Sequence, residues 1–284
     1  MGPASDAGTV LVVGGDGLVG RALTARLTAA GRRVVSTTRR AAAHDPRFLD
    51  LSDVAAWRPP EGVSLAFLCA AAARLEACRR DPEGSARVNV TGTLAVARAL
   101  SAAGAFVVGF SSDRVFDGAH PRRRAEESPC PSSEYGRQKA ALEEGLTRLT
   151  RAAVIRLTKV LGADDALFAG WAAKLRAGSA VEAFKDATLS PIPAAVVAEA
   201  AVRAGGLSAG GLYQLSGADD TAYTEAARAL ARQLGADPSL VAPIACAERG
   251  HAAFPAFTSL DCSRASDELG FRPQPLEEVL ALFR

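Results

Sequence analysis

Thr9-Val-Leu-Val-Val13-Gly14-Gly-Asp-Gly17-Leu18-Val19-Gly20 decides the fold. A short β-branched and apolar run ends on glycine, and helical patterning resumes over 17–30. That is a strand turning sharply into a helix, the device that seats a dinucleotide pyrophosphate. Gly14 permits the tight turn, Gly17 lets a phosphate come close, and Gly20 allows close helix–strand packing. The plain alternative is a glycine-rich βα loop with no ligand, and the flanking strand and helix argue against it.

Outward from this turn, apolar runs alternate with amphipathic stretches, which predicts βαβ units and a parallel sheet. Strands are expected at 33–37, 63–70, 105–111 and 152–160, and helices at 86–103 and 135–149. Beyond Gly162 the alternation weakens. A helix at 166–177, an extended stretch at 180–193, a helix at 194–204, a strand at 211–215 and a helix at 224–234 precede a tail of short helices. The fold class is therefore α/β, a doubly wound Rossmann-type parallel sheet with a smaller C-terminal α/β substrate lobe. Residues 1–162 are expected to form the cofactor domain. Residues 163–284 mainly form the substrate lobe, with elements around 188–216 returning to the sheet.

Composition narrows the function. The 284 residues carry 33 Lys plus Arg against 31 Asp plus Glu, so no general electrostatic case for nucleic acid exists. Residues 1–8 lack the basic-then-apolar order of a signal peptide, and no apolar run is long enough for a membrane span. Five scattered cysteines without a C-x-x-C pair suit reduced thiols in a cytoplasm, and the histidines at 44, 120 and 251 show no metal-ligand spacing. No metal is expected.

The chemistry lies further along. Tyr135-Gly-Arg-Gln-Lys139 sets a phenol and an ammonium one helical turn apart on one face. A nearby cation favours the phenolate and lowers its pKa, making the tyrosine a proton donor and acceptor. Phe106-Val-Val-Gly-Phe-Ser111-Ser112-Asp113 is a strand ending in hydroxyls that can hold a substrate carbonyl, Ser112 being preferred over Ser111. Cofactor choice is read after the second strand, where an acid would bind the ribose hydroxyls and repel a 2′-phosphate. Here Ser36-Thr-Thr38-Arg39-Arg40 offers hydroxyls and guanidinium groups and no acid, which favours NADP(H) over NAD(H). Two arginines on a solvent-facing turn are the competing explanation.

These motifs, in this order, resemble the extended short-chain dehydrogenase/reductases, and within them the dTDP-4-dehydrorhamnose reductase branch. Phe48-Leu-Asp50-Leu51-Ser-Asp53 is similar to the adenine-side strand, and Cys69-Ala70-Ala71-Ala72 to an Asn-Ala-Ala-Ala segment beneath the cofactor. Arg87-Val-Asn89-Val-Thr-Gly92 resembles a Val-Asn helix start, and Ser111-Ser-Asp-Arg114-Val-Phe-Asp-Gly118 resembles Ser-Thr-Asp-Tyr-Val-Phe-Asp-Gly. Ser190-Pro191 after Asp186, and Leu260-Asp-Cys-Ser263, extend the likeness almost to the end.

The resemblance implies a catalytic Ser112, Tyr135 and Lys139. It implies cofactor contacts from Gly14, Gly17, Leu18, Val19, Gly20, Thr38, Arg39, Arg40, Asp50, Leu51, Ala70, Ala71, Ala72, Asn89, Tyr135 and Lys139. A nucleotide-linked keto-deoxysugar would be reduced by NADPH, touching Ser112, Asp113, Arg114, Tyr135 and Lys159, and a homodimer is a family expectation. Arg114 stands where the branch has tyrosine, and Lys159 replaces an aromatic residue. Those added cations point to a different substrate, one with an extra anionic group. A 4-epimerase that retains its cofactor uses the same Ser/Tyr/Lys set, and a related branch holds NADP as the regulatory subunit of methionine adenosyltransferase. The second acid of sugar-nucleotide dehydratases is missing after Asp113.

Overall fold

The computed structural model describes residues 8–42, 44–207, 209–250 and 254–284. The N-terminal stretch 1–7 and His251, both weighed above, lie outside them. In chain order the elements begin with β1 (Thr9–Val13), α1 (Leu18–Ala29), β2 (Val34–Thr37), β3 (Val63–Leu68), α2 (Leu75–Arg80) and α3 (Pro82–Ala86). A π-helical turn at Arg87–Gly92 leads into α4 (Thr93–Ala102), β4 (Phe106–Ser112), α5 (Glu134–Thr147), β5 (Ala152–Leu157), β6 (Val160–Leu161) and α6 (Ala166–Arg176). Then come β7 (Val181–Phe184), β8 (Thr188–Leu189), β9 (Ile192–Pro193), α7 (Ala194–Gly205), β10 (Gly211–Leu215) and β11 (Thr221–Ala222). The chain closes with α8 (Tyr223–Gln233), β12 (Val241–Ile244), α9 (Ser263–Leu269) and α10 (Leu276–Leu280).

Six strands form a parallel sheet in the order β10-β5-β4-β3-β1-β2. The chain leaves β1 for β2 on one side and later returns to place β3 on the other. The carboxyl ends of β1 and β3 therefore flank the topological switch point, where open α/β sheets bind ligands. All of β1 is buried, as helices on both faces require. Leu11, Val13, Leu68, Val96, Leu100, Val107 and Leu146 join one core around it.

The chain divides into two compact units. The first takes the described residues up to Phe116 together with Ser128–Arg156 and Ala195–Tyr213. The second takes Asp117–Glu127, Leu157–Ala194 and Gln214–Arg284. Its own core stacks Phe168 on Phe283 at 5.4 Å and sets Trp171 edge-on to Phe168 at 5.1 Å. Leu175, Leu230 and Leu280 pack around them.

Three sequence expectations need correcting. The single helix at 86–103 is instead the end of α3, a π turn and α4, and at the close of that turn Gly92 approaches the Leu51 carbonyl so nearly that a Cβ would collide with it. The strand at 152–160 stops at Leu157, and Val160–Leu161 pairs with Ile192–Pro193 instead. The stretch 180–193 is three short strands, of which Val181–Phe184 pairs in parallel with Val241–Ile244.

Candidate active site

The first unit builds a cavity of about 320 Å³ at the switch point. Gly14, Gly17, Thr38, Arg39, Arg40, Asp50, Leu51, Ala70, Ala71 and Ala72 all line it. Leu18, Val19 and Gly20 open α1 and do not line it, and neither does Asn89.

Glycine is required in the loop. Gly14 has φ 81°, and a Cβ on it would meet Ala70 at 2.7 Å. A Cβ on Gly20 would collide with the Gly14 carbonyl. Gly17 instead faces open space apart from that carbonyl at 3.4 Å. No side chain caps α1, and its ladder starts when Arg21 N bonds to Gly17 O at 2.8 Å. A helix opening of this kind, uncapped beside a cavity, suits an anion. The residues present thus fit a dinucleotide.

Asn89, only 1% exposed, pins the cavity's far wall. Its Oδ1 accepts from Ala72 N at 2.7 Å, and its Nδ2 donates to Ala72 O at 3.0 Å and to Gln138 Oε1 at 2.7 Å. Gln138 Nε2 in turn donates to Ser85 Oγ at 2.8 Å. One amide thereby ties the loop after β3 to α5, the helix carrying Tyr135 and Lys139.

That helix starts cleanly because the Ser133 hydroxyl accepts from Gly136 N at 3.1 Å. Lys139, 4% exposed, donates to the Phe110 carbonyl at 2.9 Å and lies 5.7 Å from the Tyr135 ring centroid. Ser112 donates to Asp113 Oδ1 at 2.8 Å and accepts from Arg114 N at 3.2 Å, and its hydroxyl favours the ionised form of the Tyr135 phenol. The Ser111 hydroxyl is buried without a hydrogen-bond partner, so Ser112 is the connected one of the pair. The ammonium of Lys139 also acts on Cys69, which lines the cavity, so α5 reaches the cleft.

Electrostatics overturn one expectation. The Tyr135 phenol is held above its ordinary value, chiefly by burial and then by Asp113 and Cys78, with Arg114 and the Ser112 hydrogen bond opposing. Lys139 is itself pushed down to about 8 by burial, with Glu143 the largest opposing influence. Burial outweighs Arg114 here, so the phenol keeps its proton at neutral pH. Asp113 is likewise raised by burial, offset first by Arg114.

A second correction concerns the ribose end. No acid follows β2, yet Asp16 arrives there from the glycine loop and lines the cavity. Its Oδ2 accepts from Thr38 Oγ1 at 3.2 Å and faces Arg40 Nε at 3.2 Å. Asp50, across the cavity, is held below its ordinary value by the backbone and hydroxyl of Ser52 and then by Arg39. Arg114 stands 3.7 Å from Asp113, and Lys159, in the second unit, pairs with Asp165 at 3.2 Å. Asp16 was visible inside the glycine motif but reads there as a spacer. Among the described residues no group of three or more His, Cys, Asp or Glu could hold a metal ion. No helix among them is long and apolar enough to cross a membrane.

A doubly wound parallel sheet with a glycine cradle at its switch point and a Ser/Tyr/Lys set in the same unit defines a Rossmann-type, short-chain-reductase-like protein. The sequence profile of the RmlD substrate binding domain matches residues 8–283, and the chain belongs to that family. It is 28% identical to a probable low-salt glycan biosynthesis reductase of Haloferax volcanii, over 95% of each chain. It is 30% identical to dTDP-4-dehydrorhamnose reductase of Mycobacterium tuberculosis, over 84% of this chain and 80% of that one. The structure of dTDP-4-dehydrorhamnose reductase from Bacillus anthracis in complex with NADP superposes with a TM-score of 0.82 at 22% identity, covering 97% of each chain.

Proposed function

We propose that this chain is an NADPH-dependent reductase of a nucleotide-linked keto-deoxysugar, with Ser112, Tyr135 and Lys139 as its catalytic set. The observation that carries the reading is the buried Lys139 ammonium 5.7 Å from the ring centroid of a half-buried, protonated Tyr135, in the unit that also holds Ser112 and a glycine cradle suited to a dinucleotide. The names of the relatives support it, two of them reductases across most of the chain. A bound NADPH would supply the hydride.

The protein's own part is proton transfer and orientation. Tyr135 holds its proton until negative charge develops on the substrate oxygen, then gives it up. Ser112 has a single hydrogen, and Asp113 holds it while that carboxylate is ionised. Lys139 holds its charge against the Phe110 carbonyl, beside the cleft. The second unit is the part we assign to the nucleotide-sugar.

The expectation of an extra anionic group on the substrate rested on Arg114 and Lys159. Each of those cations faces a carboxylate, so the surplus positive charge it needs is missing. A keto-sugar without that group suits the reading better.

The test is NADPH oxidation by purified protein with dTDP-4-dehydrorhamnose and a panel of nucleotide-linked keto-sugars. One NADPH should be consumed per product formed, which separates a reductase from an epimerase. Tyr135→Phe should lower kcat by about 10²–10⁴-fold while NADPH binding persists. Undiminished turnover by that variant, or no NADPH consumption with any substrate, sinks the reading.

A further inference from the structure

Asp16 raises a question that cofactor binding alone does not answer. A carboxylate near an adenosine ribose accepts hydrogen bonds from its hydroxyls and repels a 2′-phosphate. In this chain the acid comes from the glycine loop rather than from the end of β2. It already occupies the two groups a 2′-phosphate would use, the Thr38 hydroxyl at 3.2 Å and the Arg40 guanidinium at 3.2 Å. All three residues line one cavity with Arg39 and Asp50. The arginines on that wall are thus accompanied by an equal number of carboxylates.

We infer that Asp16 is the residue that sets cofactor selectivity, acting as a built-in anion that competes with the 2′-phosphate for Arg40 and Thr38 and offers the ribose hydroxyls of NAD(H) an acceptor. The inference rests on the proposed use of a nicotinamide dinucleotide and deepens it. NADP binding must separate Asp16 from Arg40, whose side chain is 84% exposed and free to swing toward the phosphate. NAD binding leaves that pair in place. The wild-type protein therefore tolerates both cofactors, and its preference for NADP is blunted.

Asp16→Asn tests this with little disturbance. Asparagine keeps an acceptor for Thr38, and the Asp16 backbone carbonyl keeps its bond from Arg21 Nη1 at 2.9 Å. Calorimetric titration of the full chain with NADP+ and NAD+, and with 2′,5′-ADP and 5′-AMP, reads the result. The NAD+ to NADP+ ratio of dissociation constants should rise by about tenfold, the size expected when a doubly charged phosphate no longer faces a carboxylate across a few ångströms of solvated cleft. The 5′-AMP to 2′,5′-ADP ratio should follow, and both shifts should shrink at high salt. Asp16→Ser, a second route to the same loss of charge, should behave alike.

Ratios that stay within about twofold in both variants overturn the inference alone. Equal tightening of both dinucleotides does so too, since it would mean that Asp16 acts on the shared pyrophosphate. If the wild-type protein binds neither dinucleotide nor 2′,5′-ADP, the proposed function falls with it.

Discussion

Replacing Glu143 with glutamine tests how α5, the helix that carries Tyr135 and Lys139, is held. Glu143 lies one turn beyond Lys139 on α5 and makes a two-pronged pair with Arg156 at the end of β5, Nε to Oε1 at 2.9 Å and Nη2 to Oε2 at 2.8 Å. The side chains are 7% and 2% exposed, and the guanidinium also sits 4.9 Å from the Phe116 ring centroid. Glutamine preserves the shape and one acceptor oxygen but turns an NH2 group toward Arg156. The buried guanidinium then loses this counter-charge. Breaking a buried pair from one side costs about 3–5 kcal/mol. For a chain of this size that is roughly 6–15 °C in Tm. Glu143 also opposes the burial that depresses Lys139, so the ammonium should deprotonate at lower pH in the variant. Calorimetry and circular-dichroism melts read the first effect, and the alkaline limb of the pH–rate profile reads the second. A double variant with Arg156→Met should recover part of the lost stability, because no unpaired charge remains. A Glu143→Gln protein melting within about 2 °C of wild type would refute the reasoning, since a pair this buried cannot be removed for so little.

Two further outcomes can be checked beside the Tyr135 and Asp16 variants. Because burial brings Lys139 down to about 8 while Tyr135 stays protonated, reduction should hold steady below pH 8 and fall above it as the ammonium is lost. Lys139→Arg should move that limb out of the accessible range, and a wild-type rate that stays flat to pH 9.5 would contradict the assignment. Asn89→Ala should lower stability by about 2–4 kcal/mol, because Gln138 and the Ala72 backbone all lose their partner; urea unfolding is the measurement. A loss below about 0.5 kcal/mol would mean that water replaces the amide at no cost.

The parts of the fold that local pattern dictates were legible in the sequence. Val10 to Val13 announce a strand buried on both faces, and Gly14 and Gly20 meet steric demands that no other residue satisfies. Tyr135 and Lys139 fall on one helix face because a spacing of four leaves no other outcome. What stayed hidden depends on contacts distant in sequence. The close approach of Leu51, far back in the chain, to Gly92 at the end of the π turn is such a contact. The break after Leu157 follows from Val160–Leu161 pairing with Ile192–Pro193. Asp16 looked like a spacer until the loop's curl brought it to Arg40. The direction of the Tyr135 shift was misjudged for the same reason, since spacing reveals a neighbouring lysine but not how deeply both groups are buried.

Charge pairing at the candidate site residues carries a consequence beyond any single contact. Asp16 faces Arg40, Arg39 acts on Asp50, Asp113 faces Arg114, and Lys159 in its own unit faces Asp165. An incoming phosphate at Arg40 thus meets a cation that already faces a carboxylate. It must exchange with a carboxylate already in place, and its affinity is the difference between two similar attractions rather than the whole of one. Such differences are small in a solvated cleft, and salt screens both sides of the exchange. Tight seating of a dinucleotide here therefore leans on the uncapped start of α1 and the glycine approach, which contribute to NAD and NADP alike, while discrimination rests on the few side chains that differ in what they give up.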